Sequence, residues 1–129
     1  MRYLTDDELH LASRFLFLSM AITVIQQDIQ HIQAGTFKIK EPYLNLLEAM
    51  NTKAINERND LRKMMRDRNV QVVALNKSHS FSSYLFVCSG REEKRNYFNP
   101  VIRKRVKSIM QELMDKVQPP HQHDPAAHT

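Results

Sequence analysis

The side chains with the most evident chemistry are cations, and their spacing is organised. Arg58, Arg62 and Arg66 recur every four residues, which on a helix stacks them along one ridge, with Lys63 and Arg68 beside it. Like charges at this spacing weaken a helix slightly, so an anionic partner is one reason to keep them; a plain solvated surface is the other. Arg91, Lys94 and Arg95 form a second cluster. Arg103, Lys104, Arg105 and Lys107 form a third in the first turns of a further helix, the end where the dipole disfavours cations. Tyr97 and Phe98 lie between these two clusters, where a ring either stacks on a base or fills the core. Combining charge density with expected exposure, the anion or nucleic-acid contacts are expected at Arg62, Arg66, Arg95, Arg103 and Lys104.

The other reactive side chains make weaker sites. Cys88 opens the run CSGREEKR, but an anion-cradling thiolate loop wants arginine six residues on, where Lys94 stands, and Glu92 and Glu93 occupy the loop. A small buried hydrophobe is the better reading of Cys88. Asp6 with His10 and Asp28 with His31 have helical spacing, yet no Glu-x-x-His or His-Glu-x-x-His occurs, so no metal site is expected. His121, His123 and His128 fall in the stretch PPHQHDPAAHT, expected to be a disordered tail without fixed geometry. Glu57, Asp60 and Asp67 sit one turn from arginines and lysines, which fits surface pairing better than acid–base catalysis. Two glycines in 129 residues leave no glycine-rich phosphate cradle. No catalytic residue, cofactor site or small-molecule substrate is inferred.

The net charge of +5 is local: residues 1–60 hold six basic and eight acidic side chains, and residues 61–107 hold twelve basic and three acidic ones. A field of this kind suits nucleic acid, an acidic protein or a membrane surface. No helix-turn-helix, ribonucleoprotein, KH or zinc-knuckle pattern assigns it to a known mode. The single cysteine implies no disulfide framework, and a cytoplasmic setting is expected. The apolar run Phe15–Ile25 lacks a basic flank and a cleavage motif and is shorter than a bilayer requires, so it reads as a core helix and no membrane association is expected.

These residues need elements to hold them. Leu11, Phe15, Leu18, Ile22, Ile25, Ile29 and Ile32 alternate in fours and threes, predicting a long helix from a Thr5 cap to Ala34, stopped by a left-handed Gly35. Leu16, Phe17, Met20 and Val24 point off that seam and are expected to form an oligomer interface, most simply in a homodimer. Pro42 starts a second helix running to about Arg68, packed antiparallel on the first. Glu57 stands where its seam calls for a hydrophobe, which fits a bend or wet stretch, or else a polar contact that fixes register. Val70–Leu75 and Phe81–Cys88 read as a two-stranded hairpin, the charged run to Arg95 as a turn, and Asn99-Pro100 as the start of a last helix ending near Val117.

The fold class expected is α+β and mostly helical, a long helical hairpin, a two-stranded β-hairpin and a C-terminal helix in the order α-α-β-β-α, as one domain over 1–118 with a tail over 119–129. The function expected is that of a small, non-enzymatic regulatory or adaptor protein acting by protein–protein contact as a homo-oligomer. The alternative is a DNA- or RNA-binding protein using the basic surface of residues 58–107.

Overall fold

Thr5 opens the first helix, α1 (Asp6–Ala34), with a reciprocal cap: its hydroxyl accepts the backbone N–H of Glu8, and the Glu8 carboxylate accepts the N–H of Thr5 at 2.8 Å. The structure, a computed structural model, describes residues 3–118, so the expected tail and its histidines lie outside the described residues. Gly35 ends α1, but in an extended conformation (φ −79°, ψ 179°) rather than the left-handed one expected. Its lack of a side chain answers to crowding: a Cβ would meet the Phe37 ring at 3.0 Å and the His31 carbonyl oxygen at 3.1 Å. The second helix, α2 (Glu41–Arg68), carries Pro42 in its first turn and stops on Asn69, which is left-handed (φ 59°) and returns its N–H to the Arg66 carbonyl.

Three strands follow: β1 (Val70–Lys77), β2 (Phe81–Cys88) and β3 (Arg91–Phe98), antiparallel and in spatial order β1-β2-β3. The last helix, α3 (Asn99–Val117), leaves β3 without an intervening loop. The architecture is α+β and helix-dominated. The order is α-α-β-β-β-α, which corrects the two-stranded hairpin: the charged run expected to be a turn is itself a strand. Only Ser89 and Gly90 turn the chain, both at positive φ (50° and 85°), as a two-residue hairpin connection requires.

Strand alternation gives the sheet two faces. Ser82, Tyr84, Phe86 and Cys88 of β2 are buried toward the helices, as are Val70 and Tyr97. α1 is the central element: it packs on both other helices and on the sheet, and Leu18, Ala21, Ile22 and Ile25 are essentially inaccessible. By length and composition α1 could also cross a membrane; here its buried side chains form the core with Met50 and Ala54 of α2 and Leu113 of α3.

Glu57 proves to be a polar contact. Arg14 of α1 donates from Nε (2.6 Å) and Nη2 (3.0 Å) to Glu57 of α2, and from Nη1 (3.2 Å) and Nη2 (2.6 Å) to Glu112 of α3. One guanidinium thereby joins all three helices. The Glu57 carboxylate, with Glu112 second and against the cost of burial, raises the Arg14 pKa, and Glu112 is lowered in return.

The interface expected on α1 is corrected in part. Leu16 and Phe17 are buried within the chain's own core, so they are not contact residues for a second copy. Phe17 is covered by Tyr97, in a T-shaped pair at a centroid distance of 5.2 Å, and by the guanidinium of Arg105 at 5.0 Å. The third strand supplies the cover that a lone short helix would lack.

Candidate functional site

Met20 and Val24 are only half-buried, and they line the floor of a groove of about 1170 Å³ between α1, α3 and the β1–β2 turn. Ile102, Val106, Met110 and Met114 of α3 complete the apolar floor, with the Tyr84 ring at one side. These α3 residues recur every four positions, which places them along one face of the helix. Burial raises the Tyr84 pKa, so its hydroxyl stays protonated at neutral pH.

Lys77, Arg103, Lys104 and Lys107 stand along the groove, and among the described residues that line it none is acidic. Lys77 comes from the end of β1, where the pairing with β2 shifts register between Ala74 and Lys77 and sets it opposite Ser82. Ser82 is buried, and its hydroxyl donates to Asn99 Oδ1 at 2.8 Å, while the Asn99 amide donates to the His79 carbonyl at 3.1 Å. The turn that carries the groove's wall is thereby tied to the start of α3.

The five cations expected to act together do not form one site. Arg103 and Lys104 are exposed on α3 and share the groove. Arg62 and Arg66 are exposed near the end of α2 and flank a smaller hollow of about 410 Å³ against β1. Arg62 also lies over the Phe15 ring at 5.6 Å. Arg95 is half-buried and donates to Glu93 at 2.7 Å, which uses its charge locally. Tyr97 is core and offers no stacking face; Phe98 is exposed, 5.4 Å from Phe81 between centroids. Lys77 is the groove residue that sequence gave no sign of, because it stands alone among polar turn residues. Lys107, Met110 and Met114 were visible as a cluster and a stripe, without anything to link them.

Elsewhere the polar clusters hold the fold together. Arg91 grips Glu8 with two bonds of 2.7 Å and reaches Cys88 Sγ at 3.4 Å. That ion pair and the Thr5 cap hold the Glu8 carboxyl down to about 2, and burial pushes the Cys88 thiol up. A buried, protonated thiol is a poor nucleophile. Among the described residues no group of three or more His, Cys, Asp or Glu side chains is placed to hold a metal ion.

The chain is similar to the uncharacterized protein YhjD of Bacillus subtilis (strain 168): they are 34% identical over 110 residues, which are 85% of this chain and 92% of that one. No solved structure matches the chain. The family model described as YhjD protein matches residues 3–118, which takes in every element described above, including the groove and the cations around it, and so the chain belongs to the YhjD family.

Proposed function

We propose that this chain is a non-enzymatic, cytoplasmic adaptor or regulatory protein that takes an amphipathic, acidic segment of a partner protein into the groove between α1 and α3. The observation that carries this reading is the groove's chemistry: an apolar, methionine-rich floor lined by four basic side chains, with no described acid. Methionine side chains repack around different apolar shapes, which suits a surface that receives a helix. The cations supply steering and select against basic segments by repulsion. Pro100 to Met114 spans about 21 Å of helix, room for a partner helix of about fourteen residues.

The test uses three labelled fourteen-residue peptides: one with leucines at helical spacing and glutamate flanks, its scrambled version, and one with lysine flanks. Anisotropy titration of the full chain is expected to show binding of the first alone. Met110→Asp is expected to abolish that binding, and Arg103→Glu to weaken it most at low salt. Equal binding of all three peptides, or binding indifferent to Met110→Asp, overturns the reading.

A nucleic-acid role has one observation in its favour, the exposure of Arg62, Arg66, Arg103 and Lys104. Their division between two hollows and the burial of Tyr97 count against a continuous track for a strand. Titration with duplex DNA and single-stranded RNA at two salt concentrations separates the readings, since phosphate contacts give a log–log slope of about 0.9 per neutralised duplex phosphate.

A further inference from the structure

The side of the sheet turned away from the helices carries large apolar side chains beside the polar Gln71, Ser83 and Asn96, where an antiparallel sheet facing water is ordinarily polar throughout. Val73 and Leu75 of β1, Phe81 of β2 and Phe98 of β3 are 42%, 41%, 48% and 48% exposed, and Leu85 and Val87 lie half-buried between them. Val73 shares this face with Leu85, and Phe81 with Phe98, because they pair across the ladders, and Leu75 follows Val73 by strand alternation at the edge of the register shift. The charged side chains of the three strands on that face are Glu92 and Lys94, opposite Val87 and Leu85. The face is thus electrically balanced in a molecule whose net charge is +5.

We infer that this face is where a second copy of the chain docks. A two-fold contact brings a surface onto itself, so it must carry no excess of one sign. The basic ridge at the end of α2 and the cationic α3 fail that condition; the outer sheet face meets it. A two-fold axis crossing the strands midway between Glu92 and Lys94 sets Glu92 of each copy over Lys94 of the other. The same axis sets Leu85 over Val87, because those residues pair with Lys94 and Glu92 respectively. Beyond the Ser83–Asn96 pair, Phe81 and Phe98 then extend the contact toward the partner's Ser89–Gly90 turn. Two such sheets stack about 10 Å apart, the spacing of a sandwich core. The helices and the groove lie on the opposite side of each sheet, so the dimer offers two open grooves. This inference is independent of what the groove binds.

Sedimentation of the full chain over a concentration series tests it. The expected result is reversible association of the 15.2 kDa chain into a particle of twice that mass. Val73→Lys with Leu75→Lys is expected to give a monomer whose circular dichroism matches the parent and whose melting temperature matches that of the parent diluted below its dissociation constant, since both sites are exposed. Glu92→Lys alone and Lys94→Glu alone are each expected to raise the dimer dissociation constant at least about tenfold, and the double exchange E92K/K94E to restore it to within about threefold. That rescue keeps the test decisive if the lysine pair fails to fold. A monomer at every concentration overturns the inference. So does a dimer indifferent to these changes but lost in Ile39→Asp, which would place the contact at the tip of the helical hairpin, and so does a double exchange that fails to rescue.

Discussion

Arg14 sits where three helices converge, and without it Glu57 would lose its ion pair and Glu112 would be left with Lys116 alone, at 3.0 Å. Arg14→Met is therefore expected to cost about 2 kcal/mol in urea denaturation, the scale for losing bonds to charged partners at a half-buried site. The triple change R14M/E57L/E112L is expected to recover most of that loss, because it removes the stranded charges along with the cation. Glu8 gives a pH signature. Its carboxyl titrates near 2 in the fold and near 4.5 when free, so the unfolded chain takes up the proton first as the pH falls, and stability is lost through that interval. Melting temperatures measured from pH 5 down to pH 2 are expected to fall less steeply in Glu8→Gln than in the parent, by circular dichroism. Glu112, lowered chiefly by Arg14, keeps part of the slope in that variant. Glu57 shows how far single residues were legible in the sequence: its misfit on an apolar seam was plain, but its partners lie 43 and 55 positions away along the chain, one direct and one through Arg14.

At the level of elements, the three helices were readable because a three-and-four apolar period has no other physical use, and their observed limits follow it closely. β3 was hidden for an equally physical reason. Its sequence, REEKRNYF, lacks apolar alternation because its inward Arg91 pairs with Glu8 at the rim of the sheet, its inward Glu93 and Arg95 pair with each other, and only Tyr97 reaches the core. The turn was the available signal: Ser-Gly between two candidate strands is a two-residue hairpin connection. Gly90 stands at φ +85° with nothing within 4 Å of a built Cβ, so Gly90→Ala strains only the backbone. It is expected to lower stability by about 1 kcal/mol in urea denaturation, while Ser89→Gly costs nothing measurable.

For the molecule as a whole, the sequence named two sets of residues for two separate roles, Arg103 and Lys104 for anions and Met20 and Val24 for an interface. The fold brings all four to one groove. Nothing in the linear pattern could show that, because they stand about eighty positions apart and meet only once the sheet has turned the chain back. The same folding draws Leu16 and Phe17 inside. Phe17→Glu is thus expected to unfold the chain, by about 3 kcal/mol or more, where an interface residue would have given a soluble monomer; thermal melts alongside sedimentation distinguish the two. Cys88 adds a clock to this molecule. It is the sole thiol, 2% exposed, and its sulfur donates to the Arg68 carbonyl at 3.4 Å where α2 meets the sheet. A disulfide-exchange reagent can reach it only when that junction parts, so its labelling rate in the native protein counts how often the helices and the sheet let go of each other.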